Sequence, residues 1–219
     1  MDATTPEAFG LWLPPDISVH GAGIDQIINL LHWFMLFLFV GWACFLIFTL
    51  FKFRARPGQK ADYYGVQTHA TSYLEAGIVV IEVIILVGLS IPVWAELKSD
   101  PPQPTQADVV VRVVGEQFAW NVHYPGADNK FGKTDISLVD GSNPLGIVWD
   151  DAAAKDDITT INHFHFPVGK KVLLSLSSKD VIHSFWMNIM RVKQDAIPGN
   201  TVPLWFEAKE TGKGEISCA

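Results

Sequence analysis

The 219-residue chain is short of cysteine: Cys44 and Cys218 are the only two. Two thiols exclude a disulfide-stapled scaffold. It is also short of positive charge, with 16 Lys+Arg against 23 Asp+Glu and a formal net charge of −7. A nucleic-acid binder would carry a basic patch or stripe, so that class is excluded. Charge of either sign is missing between Asp25 and Lys52, and Lys and Arg are missing from everything before Lys52. After residue 100 no long helical stripe with caps is visible, and the chain shows no internal repeat.

The charge-free stretch is filled with Leu, Ile and Phe, through HWFMLFLFVGWACFLIFTLF. A bilayer core takes about 20 such residues at 1.5 Å rise each. The bland reading is a buried helix of a soluble core, and this run is too long for it. A cleaved signal peptide is opposed by the acidic N-flank and the lack of a basic n-region. A second stretch, Ala76 to Val93, carries one charge, Glu82. The link between the two holds Lys52, Arg54, Arg56 and Lys60 against Asp62 and Glu75, whereas the segment before the first run holds only Asp2, Glu7, Asp16 and Asp25. The positive-inside bias then places the link in the cytoplasm and both termini outside. Residues 1–24 are expected as an extracytoplasmic segment and 25–98 as a transmembrane hairpin. Its helices should cover about 25–53 and 70–97, joined by a cytoplasmic loop of about 54–69. Trp33, Tyr73 and Trp94 stand near the expected interfaces.

Beyond Lys98 the pattern changes. SDPPQPTQ reads as a Pro-rich linker, and ADVVVRVVGEQFAWNVHY, KKVLLSLSS and TVPLWFEA are short β-branched and aromatic runs punctuated by Gly and Pro. The expectation is an extracytoplasmic β-sandwich over 99–219. Leu138 to Thr160 holds Asp140, Asp150, Asp151, Asp156 and Asp157. That stretch is expected to be a solvated loop; a calcium site is the weaker alternative, since the oxygen spacing matches nothing specific.

One segment narrows the function. Asp180-Val181-Ile182-His183-Ser184-Phe185-Trp186, then Arg191-Val192-Lys193-Gln194-Asp195-Ala196-Ile197-Pro198-Gly199, followed by ETGKGEISCA, resembles subunit II of haem–copper cytochrome c oxidases. GEQFAWNVHYPG is similar to that family's aromatic strand, and the likeness extends over nearly the whole chain. The resemblance implies an all-β, cupredoxin-like Greek-key sandwich in the outer domain, behind the two-helix hairpin. It implies a dinuclear copper centre of CuA type that accepts electrons from cytochrome c and passes them to the haem and haem–copper sites of subunit I. There oxygen is reduced to water and protons are pumped, so this chain itself carries no catalytic residue. Subunits I and III, cytochrome c or a fused or associated c-type cytochrome, and membrane lipid are the implied partners. The implied location is the bacterial plasma membrane, with both termini on the periplasmic side.

Residue roles follow from the same resemblance. His183 and Cys218 match a copper imidazole and a bridging thiolate. Soft thiolate and imidazole suit copper, and a rigid β-scaffold holds them still as the charge changes. Alone, either residue would read as a packed core side chain. The family continues with a second Cys, a second His and a Met, whereas this sequence stops at Ala219. The domain is therefore expected to be C-terminally incomplete, with the remaining ligands beyond residue 219. A copper-free subunit II of a quinol oxidase is the alternative. Trp120 matches a family Trp of the electron-uptake region, where Phe118 stands in place of another Trp. Lys193 and Asp195 are implied at the subunit I boundary, where the apolar flank Phe185-Trp186-Met187 is expected to need cover. Glu75 matches the mouth of a proton path. Glu82 has no family role, and a carboxylate inside a span normally faces protein or water.

Overall fold

In a computed structural model of the chain, the structure describes residues 13–58, 60, 63–65, 67–99 and 101–219. The first twelve residues of the N-terminal segment, and Gln59, Ala61, Asp62 and Val66 of the loop, lie outside the described residues. The chain divides into two units. One is Gly23–Ala95; the other joins residues up to Ala22 to Glu96–Ala219.

The first unit is helical. Helix α1 runs Gly21–Lys52, α2 runs Ala70–Ile85, and α3 runs Ile91–Lys98 after a π-helical turn, Leu86–Ser90. Both apolar stretches are long enough to cross a bilayer and expose nearly all of their surface. A helix apolar on every side, and uncovered by its own chain, is built for lipid or for partner helices. The few polar groups inside bond locally, as hydrocarbon requires. His32 Nδ1 meets the Ile28 carbonyl at 2.7 Å, and the Thr49 hydroxyl donates to the Leu46 carbonyl at 2.8 Å. The π turn has a cause. Pro92 lacks an N–H and its ring crowds the carbonyl four residues back, so the backbone widens just before it. The Ser90 hydroxyl donates to the Ile85 carbonyl at 3.3 Å across that turn.

The second unit is a β-sandwich. Strands β1 (Val109–Glu116), β2 (Ala119–Tyr124), β3 (Ile158–Ile161), β4 (Lys171–Ser178) and β7 (Val202–Glu207) form a sheet in the order β3-β2-β1-β4-β7. Strands β5 (His183–Met187), β6 (Val192–Ala196) and β8 (Ile216–Cys218) form a second sheet, β6-β5-β8. β1 and β4 pair in parallel and every other strand pair is antiparallel. Alternation decides which side chains meet between the sheets: Val111, Val113, Leu174, Leu176 and Phe206 face Phe185, Met187 and Val192. Burying each such side chain contributes about 1.5–3 kcal/mol. Phe185 and Met187 are thus covered by the chain's own core, and only Trp186 of that flank stays exposed. The expectation that the whole flank needs a partner is corrected: strand alternation turns its first and third residues inward.

The N-terminal segment belongs to this sandwich, which its sequence did not signal. Ile17 is buried in the core, and its N–H donates to the Ile189 carbonyl at 3.0 Å. The Val19 N–H donates to Glu207 and the Lys209 N–H to Ile17. The helix start is then capped by Ser18, whose hydroxyl oxygen accepts from the Gly21 N–H at 2.8 Å. Only glycine fits there, since a Cβ on Gly21 would fall 2.0 Å from the Asp16 carboxylate.

The acidic stretch between β2 and β3 is an irregular insertion closed by its own carboxylates. Asp156 accepts from the Ala127 and Asp128 N–H groups, and Asp140 from those of Ser142 and Asn143. The Asp157 side chain is fully buried and accepts from His123 Nε2 at 2.7 Å and from the Gly132 N–H at 2.8 Å. These carboxylates bond backbone and histidine, and no cluster of three metal-ligating side chains occurs among the described residues.

Candidate metal centre

His183 opens β5 and Cys218 closes β8, its neighbour in the sheet. Pairing puts Cys218 opposite Phe185, so the two functional side chains come to one end of the sandwich. His183 Nδ1 lies 4.0 Å from Cys218 Sγ. The Ser184 N–H donates to the same sulfur at 3.4 Å. The other ring nitrogen, Nε2, meets the Asp180 carboxylate at 2.8 Å. The ring is nearly buried while Cys218 is exposed.

Asp180 is itself fixed. Its oxygens accept from the Val181 N–H at 2.7 Å and the Gln117 N–H at 2.8 Å. The bond from His183, then those from the Gln117 and Val181 N–H groups, hold its carboxyl well below the usual carboxylate range. The carboxylate is therefore ionised across the physiological range and keeps Nε2 engaged. That leaves Nδ1 as the nitrogen free to bind a metal.

The ring is also held from behind. Trp120, buried in β2, meets His183 edge-on at 5.8 Å between centroids and Phe185 at 5.3 Å. A Cβ on Gly115 would lie 3.0 Å from His183 Cδ2 and 3.1 Å from Trp120 Cζ3. Glycine at 115 is what lets both rings lie against β1. Ser184 Oγ is buried without a hydrogen-bond partner among the described residues.

Residues 109–218 match the family profile "Cytochrome C oxidase subunit II, periplasmic domain". The chain belongs to the cytochrome c oxidase subunit II family. Membership makes it a subunit of an oxidoreductase complex of electron transport, with two candidate membrane spans and a cupredoxin-like β-domain. It is 29% identical to the alternative cytochrome c oxidase subunit 2 of Bradyrhizobium diazoefficiens, over 96% of this chain and 75% of that one. It is 30% identical to cytochrome c oxidase subunit 2 of Alkalihalophilus pseudofirmus, over 78% of this chain and 42% of that one, so it spans less than half that relative's length. The crystal structure of the periplasmic domain of subunit II of cytochrome oxidase of Bradyrhizobium japonicum aligns at 27% identity, with a TM-score of 0.34, over 55% of this chain and 78% of that one.

One side of a subunit II copper site fits these residues. With metal–nitrogen and metal–sulfur lengths of roughly 2.0 and 2.3 Å, two ligands of one ion stand about 3.5–4 Å apart. The 4.0 Å between Nδ1 and Sγ is at that span. The carboxylate on the far nitrogen is the usual support of a ligating histidine.

The other expected residues lie elsewhere. Phe118 sits on the turn between β1 and β2 and is 93% exposed, whereas Trp120 is buried in the core. Lys193 and Asp195 are exposed on β6, which among the described residues is the edge strand beside β5. Glu75 is exposed near the start of α2, and Glu82 is exposed farther along it. Sequence reasoning gave Asp180 no role, although its place three residues before the histidine was a usable signal. Nothing in the sequence pointed to Gly115 or to the contact of Trp120 with the ring.

Proposed function

We propose that this chain accepts electrons from cytochrome c at a dinuclear copper centre and passes them to subunit I, where oxygen is reduced and protons are pumped. The observation that carries the reading is the His183–Cys218 pair, with Nδ1 4.0 Å from Sγ and Nε2 held by Asp180. Cys218 and His183 would hold one part of the metal pair. The second thiolate, the second imidazole and the thioether are proposed to come from residues after Ala219. When bound, the copper pair supplies a one-electron relay. The chain's own contribution is rigidity: a carboxylate-fixed ring and a strand-held sulfur change position little as charge arrives.

Around this centre, Phe118 presents an exposed ring to the electron donor and Trp120 links that turn to His183. Lys193 and Asp195 face subunit I from the open side of β6, and Glu75 feeds a proton path. Subunit III completes the proposed assembly. Packing of residues 13–22 within the β-domain favours a chain that leaves and returns to one side of the membrane, and the basic loop favours the periplasm for that side. Rapid mixing of the assembled complex with reduced cytochrome c tests the reading. His183→Ala should abolish fast electron uptake while the haems of subunit I stay spectrally intact. Uptake at the wild-type rate would overturn it.

A further inference from the structure

A pocket of about 870 Å³ lies on the outer face of the β1–β4 pair, on the side away from the core, between the insertion and the turn after β6. The volume falls in the range of small-molecule sites, roughly 300–1,000 Å³. Its polar side is made by Arg112, Ser175, Ser177, Thr134 and Thr201. No carboxylate lines it among the described residues, in a chain with more acidic than basic side chains.

Arg112 is the unusual member. Its guanidinium lies over the Phe131 ring at 4.0 Å and makes no hydrogen bond among the described residues. Lys179 and His123, which also line the pocket, each have a carboxylate partner. Lys179 pairs with Glu116 at 2.6 Å, and His123 with Asp157 at 2.7 Å. Asp157 acts on Arg112 through space; its Oδ2 accepts from His123 and the Gly132 N–H, and its buried Oδ1 has no hydrogen-bond partner among the described residues. A half-buried guanidinium offers five donors in a fixed fork that suits oxyanions. Facing it are hydroxyls that can add further donors. The opposite wall is apolar: Val139, Leu145 and Ile136, the last 92% exposed.

We propose that this pocket binds a small phosphorylated compound with an apolar body, its phosphate held by Arg112 and the β4 serines. Three terminal oxygens use more of the donors than a carboxylate would. Free phosphate would leave most of the volume and the apolar wall unused.

The test is calorimetric titration of the full chain in detergent micelles with phenyl phosphate, and with inorganic phosphate in parallel. Phenyl phosphate should bind saturably at one site, at least tenfold more tightly than inorganic phosphate. Arg112→Gln should weaken it at least tenfold and Ser175→Val several-fold, while Lys155→Gln, outside the pocket, leaves it unchanged. If Arg112→Gln does not fold, Ser175→Val carries the comparison. No saturable binding up to about 10 mM, equal binding of both phosphates, or equal loss in Lys155→Gln would overturn the proposal.

Discussion

The imidazole of His183 and the sulfur of Cys218 face each other across the β5–β8 pairing, Nδ1 standing 4.0 Å from Sγ. Thirty-odd residues separate them in the chain, and sheet pairing closes the distance. The ring's orientation depends on a third group, since Nε2 is taken by Asp180 at 2.8 Å.

Removing that support should loosen the ligand without unfolding the domain. Asp180→Ala should lower copper affinity about 10–100-fold, as loss of an outer carboxylate does elsewhere. Asp180→Asn should lose less, because the amide oxygen can still accept from the Gln117 or Val181 N–H. Competition with a copper chelator measures both. Wild-type affinity in Asp180→Ala would show that the carboxylate does not set the ring.

Gly115→Ala puts a methyl group 3.0 Å from His183 and 3.1 Å from Trp120. Both rings are packed and neither can retreat freely. Overpacking of this kind costs about 1–3 kcal/mol. The thermal midpoint should fall by roughly 5 °C or more, with copper binding weakened alongside. An unchanged midpoint would mean that the rings have room to move.

His123 predicts a pH dependence of stability. Burial pulls its pKa below the ordinary 6.5, against the opposing pull of Asp157. The fold therefore favours the neutral ring, whereas the unfolded chain takes up a proton near 6.5. Stability is full above that pH and is lost as pH falls below it. The thermal midpoint should drop between about pH 7.5 and 5.5, and His123→Gln should flatten the slope. A slope identical in the variant would assign the effect to other groups.

Glu75→Gln should leave assembly and copper content intact and lower steady-state oxygen consumption several-fold, since the amide cannot exchange a proton. Glu82→Gln is the internal comparison. Slowed turnover in Glu82→Gln alone would move the proton-path role to the deeper carboxylate.

Much of this architecture was legible in the sequence. The hairpin shows because an apolar run without charge from Asp25 to Lys52 exceeds what a soluble core helix needs and matches the thickness of a bilayer. The sandwich shows because short β-branched runs alternate with Gly and Pro. His183 and Cys218 became visible through their flanking motif. What stayed hidden depends on long-range pairing. Ile17 lies in a short run after Pro14-Pro15, too brief to mark a strand, and its bonds to Ile189 and Lys209 place it in the core. Gly115 looks like an ordinary strand interruption until two rings from β2 and β5 are laid against it. The π turn is a backbone response to Pro92 that no hydrophobic pattern registers. Phe185 and Met187 read as part of an exposed flank because alternation cannot say which face is inward until the opposite sheet is in place.

The central claim is that His183 and Cys218 belong to a two-copper site, and metal analysis of the assembled complex tests it most directly. The complete subunit should hold two coppers beyond that of subunit I and show the near-infrared absorption of a mixed-valence pair, and both should vanish in His183→Ala. A well-folded complex with no copper beyond subunit I's own would contradict the account and favour a copper-free quinol-oxidase subunit.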